Sequence, residues 1–185
     1  VLLVVDATAG ITAQDSHVAG FILEAYKSVA VIVNKWDIVP DKETNTAAEF
    51  TDAIRSTLRF MDYVPVLFVS ALTHQRVSKI LPLALDLAKQ RKLRIPTGDL
   101  NRLLRDALTA RPAFSRRGKQ LKLFYATQAE VAPPTFVLFV NDPELVHFSY
   151  ERYIENRIRE VYPFVGTPIR INFRARAQSD MGDFV

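Results

Sequence analysis

Three short apolar runs mark the first half of the chain. The runs, each followed by a polar residue, are 1–5 before Asp6, 29–33 before Asn34, and 64–69 before Ser70. Short, uninterrupted runs rich in β-branched residues are typical of strands that are buried on both faces of a sheet. The pattern therefore predicts three buried β-strands.

Helical periodicity fills the intervals after these runs, over residues 15–27, 46–60 and 74–91. Apolar residues recur there at spacings of three and four, which predicts one inward face for each helix. The predicted inward residues are Val18, Phe21, Ile22 and Ala25, then Ala47, Phe50, Ile54 and Leu58, then Val77, Ile80, Leu81, Leu85 and Leu87. Alternating strands and helices predict a parallel sheet with right-handed crossovers. Ligands of such sheets bind beyond the carboxyl ends of the strands, so the chemistry is expected there.

The pattern changes at the segment KLRIPTG, residues 92–98, where Pro96 and Gly98 disfavour helix. We predict a first domain over 1–92, a linker over 93–98, a second domain over 99–176 and a polar tail over 177–185. The predicted elements of the second domain are a helix at 99–110, a hairpin of strands 119–129 and 135–141 around Pro133-Pro134, a helical turn from Asp142-Pro143, a helix at 149–161 and a strand at 169–174. This order predicts a small α+β sheet with helices on one face.

Charge also separates the two halves. Residues 1–90 hold 8 basic and 10 acidic residues, net −2, whereas residues 91–185 hold 16 and 10, net +6. A basic module favours a polyanionic partner, although a solvated basic surface explains the charge equally well. The chain has no Cys, which excludes disulfides and zinc–thiolate sites and suits a reducing cytoplasm. No apolar run is long enough to span a membrane.

Two strand ends carry residues suited to binding guanine. Asn34-Lys35-Trp36-Asp37 follows the second predicted strand, and Ser70-Ala71-Leu72 follows the third. Guanine offers two adjacent donors at N1 and N2, which a carboxylate accepts as a bidentate pair and which adenine lacks. A strand-end turn is the alternative for an isolated N-K-x-D. The second motif after the next strand favours the guanine interpretation.

Each residue of these motifs suits one task. Asp37 is the candidate acceptor for N1 and N2, and the Ala71 N–H is a candidate donor to O6. The Lys35 stem can lie across the base. The Asn34 amide can tie the two loops together. The candidate guanine-binding set is Asn34, Lys35, Asp37, Ser70, Ala71 and Leu72.

These motifs resemble the guanine-specificity motifs of the Ras-like GTPase superfamily. Residues 1–91 are similar to strands four to six of such a G domain, and VLLVVDATAGITAQD (1–15) resembles the second GTPase domain of the bacterial Der (EngA) family. The stretches 121–128, 133–160 and 166–173 resemble the C-terminal domain of the same family. The resemblance implies two GTPase domains in tandem followed by a KH-like domain. It also implies GTP or GDP with Mg²⁺ as ligands, and a role in assembling the large ribosomal subunit.

The phosphate-binding residues of a GTPase are missing from the sequence. No G-x-x-x-x-G-K-[ST] occurs, and Asp6 to Gly10 is one residue too long for D-x-x-G. We therefore expect the first half of this G domain to lie outside the sequence, and the chain alone to bind GTP weakly or not at all. The outer edge of residues 1–5 should be bare or covered by a neighbouring chain. The alternative is a non-enzymatic RNA- or protein-binding module with a vestigial nucleotide fold.

The second domain lacks the G-x-x-G loop with which KH modules clamp RNA. The Der family shares that absence, which favours it over the related Era family. RNA contact, with ribosomal RNA as the implied partner, would then use surface cations. The candidates are Arg116, Arg117, Lys119, Lys122, Arg152, Arg157, Arg159, Arg170, Arg174 and Arg176. Aromatic residues such as Phe139 could stack on bases, but their spacing favours core packing. We predict that Trp36 is a partly exposed packing residue.

Overall fold

The computed structural model describes residues 1–40, 43–112 and 119–176. It divides into two compact units, the first made of Val1–Lys92 with Phe164–Pro168 and the second of Leu93–Pro163 with the described residues from Ile169 onward. The predicted tail, 177–185, lies outside the described residues. Residues 164–168 were predicted in the second domain, and the structure places them in the first unit instead.

The first unit alternates strands and helices, as predicted. Its elements are β1 (Leu2–Asp6), α1 (Ala13–Glu24), β2 (Ala30–Asn34), α2 (Thr46–Thr57), β3 (Val66–Phe68) and α3 (Ile80–Arg91), with 3-10 turns at Trp36–Ile38, Arg59–Met61 and Val77–Lys79. The strands form a parallel sheet in the order β1-β2-β3. The α/β class with a parallel sheet is confirmed. The third helix begins later than predicted, because residues 77–79 form a 3-10 turn.

Strand β2 is buried on both faces, whereas β1 is not. Leu3 and Val5 of β1 are buried, but Leu2 and Val4 are 38% and 57% exposed. The prediction of burial on both faces is therefore wrong for β1. Among the described strands, none pairs with the outer edge of β1. Leu2 and Val4 are exposed on the β1 face opposite Leu3 and Val5.

The helices bury narrower faces than their periodicity predicts. Ala19 and Ile22 of α1 and Leu87 of α3 are buried. The predicted inward residues that are instead exposed are Ala25 and, with their exposed fractions, Val18 at 37%, Phe21 at 62%, Leu81 at 68% and Leu85 at 55%. Apolar residues occupy more than one side of these helices, and only one stripe of each is buried. Periodicity identifies the helices but does not decide which stripe meets the sheet.

The segment Phe164–Pro168 completes the first unit by backbone pairing. The Val29 N–H donates to the Gly166 carbonyl at 2.7 Å, and the Gly166 N–H donates to the Tyr63 carbonyl at 2.9 Å. The hydroxyls of Ser28 and Thr167 lie 2.9 Å apart. Gly166 has a φ of +62°, and a Cβ there would lie 2.3 Å from Leu87 Cδ2 and 2.5 Å from the Val29 carbonyl oxygen. Only glycine fits this position without displacing its neighbours.

In its described residues, the second unit is a three-stranded sheet with two helices. Its elements are α4 (Thr97–Ala110), β4 (Leu123–Val131), β5 (Pro134–Val140), a 3-10 turn (Pro143–Leu145), α5 (Phe148–Val161) and β6 (Arg170–Ala175). β4 and β5 form the predicted antiparallel hairpin, and β6 adds in parallel to β5. The Asp142 carboxylate accepts the Glu144 N–H at 3.0 Å, so the turn begins where the Asp-Pro pair predicts.

Two amide side chains stabilise the second unit. Asn101 of α4 exchanges two hydrogen bonds with the Ala126 backbone, at 2.7 and 2.8 Å. Buried Gln128 accepts the Ile95 N–H at 2.8 Å and donates to the Leu93 carbonyl at 2.9 Å. The first residues of the predicted linker are therefore fixed to β4. In the described part of the chain, no helix has the length and apolar character needed to cross a membrane.

We predict that Gly166→Ala destabilises the first unit by about 2 kcal/mol or more, because the new methyl clashes with Leu87 and with the Val29 carbonyl and the backbone has positive φ. Urea unfolding followed through the fluorescence of Trp36, the one tryptophan, measures this effect. Gly20→Ala is the matched control, because Gly20 lies within α1 and nothing lies within 4 Å of its added Cβ. The control should stabilise by about 0.5–1 kcal/mol. Equal midpoints for the two variants would contradict the packing at Gly166.

Candidate functional site

The parallel register brings the two candidate loops to one edge of the sheet. Asp6 pairs with Asn34 at the ends of β1 and β2, and Val33 pairs with Phe68 at the end of β3. The carboxyl ends of all three strands therefore lie side by side. The chain leaves this edge through loops that contain Asn34 to Asp37 and Ser70 to Leu72.

A side-chain hydrogen bond joins the two loops. Asn34 Oδ1 accepts the Ala71 N–H at 3.0 Å, across 37 residues of sequence. A backbone bond beside it, from the Trp36 N–H to the Val69 carbonyl at 3.0 Å, reinforces the junction. The tie expected of Asn34 is thus present. The Ala71 N–H, expected to donate to guanine O6, donates to Asn34 in this structure.

The loop after β3 is ordered by Ser70. Its side chain is fully buried, and its Oγ accepts the Thr73 N–H at 3.0 Å. The Ser70 N–H donates to the Gln75 carbonyl at 3.1 Å and closes the loop on itself. Leu72, at the tip, is 81% exposed. Ser70 therefore shapes the loop from beneath, while Leu72 is open to a ligand.

Trp36 anchors the first loop from below. It is only 5% exposed, so the prediction of a partly exposed residue is wrong. Its ring lies 4.3 Å from that of Phe68 and 5.2 Å, edge-on, from that of Phe50. Aromatic contacts of this kind add to the free energy gained by burial. The neighbouring residues Lys35 and Asp37 are more exposed to solvent than Trp36. The buried ring therefore fixes the backbone between two residues that a ligand can reach.

Lys35 is held by an acidic partner that the sequence did not reveal. Its backbone is left-handed, with φ 62° and ψ 31°. Its Nζ lies 2.6 Å from Asp6 Oδ2, and Asp6 Oδ1 also accepts the Thr8 N–H and hydroxyl at 2.8 and 2.7 Å. The hydrogen bond from Lys35, followed by those from Thr8, lowers the pKa of Asp6 from 3.8 to about 2. The strand register, which pairs Asp6 with Asn34, is the signal that could have identified this pair.

Asp37 lies in the 3-10 turn Trp36–Ile38, directly after the tethered lysine, and is half-buried. Together, the two loops present the Asp37 carboxylate and the Lys35 side chain, whose ammonium is held by Asp6. Beside them lies the exposed Leu72 loop, which is hydrogen-bonded to Asn34 through the Ala71 N–H. Such an arrangement suits a planar ligand with two adjacent donors. Among the described residues, no group of three or more His, Asp or Glu side chains could hold a metal ion, and we assign Mg²⁺ to no residue here.

The candidate RNA-binding cations are scattered over the second unit. Arg116 and Arg117 lie outside the described residues. On α5, Arg157 pairs with Glu160, and Arg159 pairs with Glu155 at 2.9 Å. The remaining candidates lie elsewhere: Arg152 is exposed on α5, Lys119 and Lys122 precede β4, and Arg170, Arg174 and Arg176 lie on or just after β6. Arg157 and Arg159 are therefore each paired with a glutamate of their own helix.

Comparison with known families covers both units. Residues 94–174 match the family model of the C-terminal KH-domain-like region of EngA bacterial GTPase enzymes. Residues 1–90 match that of the elongation factor Tu GTP binding domain. The GTPase Der of Alkaliphilus metalliredigens is 50% identical over 179 residues, and that of Brevibacillus brevis is 53% identical over 171 residues. The chain belongs to the bacterial Der family.

The alignment with these Der proteins covers nearly all of the chain but less than half of each relative. It spans 97% of the chain and 40% of the Alkaliphilus protein, and 92% of the chain and 39% of the Brevibacillus protein. A crystal structure of an Era variant from Aquifex aeolicus bound to GDP·AlF4⁻ is 16% identical. It covers 94% of this chain and 64% of that chain at a TM-score of 0.40, too distant to inform the site.

The pKa of Asp6 gives a direct test of the Lys35 contact. Because the folded-state pKa is depressed, the stabilisation from this carboxylate is present above pH 3.8 and is lost as the pH falls through about 2. We predict that Lys35→Met raises the pKa of Asp6 toward 3.8, as read from the carboxyl ¹³C resonance in an NMR titration. Lys79→Met, which removes a lysine from the turn before α3, should leave that pKa unchanged. A pKa unaffected by Lys35→Met would show that the pair does not form in solution.

Proposed function

We propose that the first unit carries the guanine-recognition half of a GTP-binding domain. The hydrogen bond from the Ala71 N–H to Asn34 Oδ1 is the observation that carries this proposal. It holds the N-K-x-D loop and the Ser-Ala-Leu loop in one arrangement at the carboxyl edge of a parallel sheet, where ligands of such sheets bind. The match to the elongation factor Tu GTP binding domain over residues 1–90 supports the same assignment.

Asp37 accepts guanine N1–H and N2–H in this proposal, and Lys35 covers one face of the base. Asp6 orients Lys35, because the ion pair fixes the ammonium and leaves the methylene stem as the contact surface. The Ala71 N–H reaches O6 as a shared donor and keeps its bond to Asn34, since one N–H can serve two acceptors. Selectivity for guanine over adenine then rests on the Asp37 carboxylate.

We further propose that the intact protein hydrolyses GTP with Mg²⁺, using phosphate-binding residues that this sequence does not contain. The relatives are named GTPase Der, and the chain spans 40% of the length of one of them. Bound Mg²⁺ would neutralise charge on the phosphates, while the residues described here hold the base. The chain alone should bind GTP weakly and hydrolyse none, because it supplies only base contacts.

The second unit, in our proposal, contacts ribosomal RNA during assembly of the large ribosomal subunit in the bacterial cytoplasm. Two features support it: the match to the EngA KH-domain-like region and the net charge of +6 over residues 91–185. Phosphates are the natural partners of such a surface. GTP and GDP would then change the affinity of the intact protein for its RNA.

We predict that Asp37→Asn, made in a protein of the full length of the relatives, shifts preference from GTP to XTP. Xanthine carries a carbonyl where guanine carries the N2 amine, so it needs a donor that the Asn amide supplies and the Asp carboxylate does not. Each lost hydrogen bond to a charged group is worth about 1.5–3 kcal/mol, so GTP affinity should fall by roughly ten-fold or more. Competition between GTP and XTP measures the change.

Asp62→Asn provides the matched control, because Asp62 is an exposed acid of the same unit and its loss should leave nucleotide preference unchanged. A protein that keeps its preference for GTP after Asp37→Asn would show that Asp37 does not read the base. A full-length protein that binds no guanine nucleotide would instead favour a binding module with a vestigial nucleotide fold.

RNA binding by the chain should depend steeply on salt. Each phosphate neutralised by Lys or Arg on a single strand adds about 0.7 to the slope of log affinity against log salt concentration. Fluorescence anisotropy with a labelled ribosomal RNA fragment across a salt series gives this slope. Arg116→Glu with Arg117→Glu should weaken binding and flatten the slope. An RNA affinity that does not change with salt concentration would count against a phosphate-binding surface.

A further inference from the structure

One row of side chains across the second sheet combines two aromatic rings and a cation. The strand register places Tyr125 of β4 opposite Phe139 of β5, and Phe139 opposite Arg174 of β6. The rings of Tyr125 and Phe139 stack with centroids 4.3 Å apart and planes inclined by 12°. Tyr125 is 41% exposed and Arg174 is exposed, so the row is open to solvent at both ends.

An irregularity in β4 adds a third ring beside this row. The pairing with β5 shifts between Leu123 and Tyr125, as in a β-bulge with Phe124 as the extra residue. Consecutive residues of a regular strand face opposite sides, and a bulge re-aims them. As a result, Phe124 and Tyr125 are both exposed, at 45% and 41%. The Arg176 guanidinium lies 5.3 Å above the Phe124 ring in a cation–π contact.

Backbone pairing brings further cations to the same end of the sheet. Lys122 pairs with Asn141 just beyond β4, through hydrogen bonds of 2.8 and 3.1 Å. On the other side of β5, the Arg176 N–H donates to the Val140 carbonyl at 3.0 Å. Lys122 and Arg176 therefore flank the end of β5, close to the stacked rings. Asp142, two residues after the end of β5, uses its carboxylate to cap the following turn.

We propose that these six residues, the sheet corner, bind unpaired nucleotides of RNA. The sheet corner comprises Lys122, Phe124, Tyr125, Phe139, Arg174 and Arg176. The inference rests on the RNA-binding function proposed for the second unit and assigns it a site. Bases stack on the exposed rings of Tyr125 and Phe124, and phosphates pair with the three cations. Recognition of this kind tolerates many sequences, since every base has a π-face.

Charge and geometry favour single-stranded RNA over other occupants. A duplex hides the faces of its bases and could use only the cations. The helical arginines Arg102, Arg157 and Arg159 pair with carboxylates on their own helices, which reduces their attraction for phosphate. The sheet corner instead joins exposed rings to cations, and an unpaired polynucleotide matches both features. A purely structural stack between Tyr125 and Phe139 would need no flanking cations.

The test measures binding of the 185-residue chain to a fluorescein-labelled single-stranded RNA of about ten nucleotides, a length within the usual site range. A duplex RNA of equal length serves as the comparison ligand. Tyr125→Leu with Phe139→Leu should raise the Kd for the single strand roughly ten-fold, with little change for the duplex. Arg174→Gln with Arg176→Gln should lower the salt slope by up to about 1.4, that is, about 0.7 for each lost contact.

Matched controls remove an aromatic ring or an arginine that lies in the second unit but outside the sheet corner. Phe148→Leu deletes a ring that is 75% exposed at the start of α5. Arg102→Gln deletes an exposed arginine that pairs with Asp99 on its own helix. Both controls should bind the single strand as the wild type does. Circular dichroism checks that each variant folds. If the variant that lacks the rings of Tyr125 and Phe139 unfolds, the variant at Arg174 and Arg176 still tests the proposal, because both arginines are exposed.

The outcomes separate this inference from the function on which it rests. Wild-type binding in both corner variants, with loss in Arg116→Glu/Arg117→Glu, would overturn the sheet corner and leave RNA binding intact. Equal binding of duplex and single strand, unaffected by loss of the rings, would overturn base stacking. A chain that binds no RNA at low salt, or binds only a ribosomal protein, would overturn both the inference and the proposed function of the second unit.

Discussion

The hydrogen bond between Asn34 Oδ1 and the Ala71 N–H is the constraint on which the candidate site depends. The parallel strands bring the ends of β2 and β3 to one edge, but a shared edge does not fix the positions of two loops. The amide of Asn34 does so, because it spans from one loop to the backbone of the other. Ser70 is buried beneath the same loop and accepts the Thr73 N–H, so the second loop is fixed before any ligand arrives.

Burial of Trp36 and the ion pair of Lys35 stabilise the first loop in a backbone conformation that is unfavourable for Lys35. Lys35 has a left-handed backbone, which costs a non-glycine residue of order 1 kcal/mol or more. Trp36 offsets part of this cost, because its ring is 5% exposed and packs on Phe50 and Phe68. The ion pair with Asp6 then fixes the far end of the lysine side chain. The cost falls at one residue, whereas the compensating contacts come from three other elements.

Much of the fold follows from periodicity, and the departures from it have a common cause. The run around Val31 predicts a strand because burial on both faces leaves no polar position. Phe21 and Leu85 were assigned inward faces and are exposed, since periodicity identifies an apolar stripe without its partner. The motifs located Asn34, Asp37 and Ala71, but not Asp6, whose pairing with Lys35 depends on register between strands far apart in sequence. Gly166 likewise owes its role to contacts with Val29 and Tyr63, distant in the chain.

Net charge and the arrangement of charge lead to different conclusions about the second unit. The sum of +6 over residues 91–185 predicts an anionic partner but no position for it. On helices, Arg and Glu three or four residues apart meet on one face, and Arg157 and Arg159 pair in this way. On the sheet, neighbours are set by register, and register places Arg174 beside Phe139 rather than beside a carboxylate. Secondary structure therefore decides which groups lie beside each cation, and on the sheet Arg174 lies in one row with Tyr125 and Phe139.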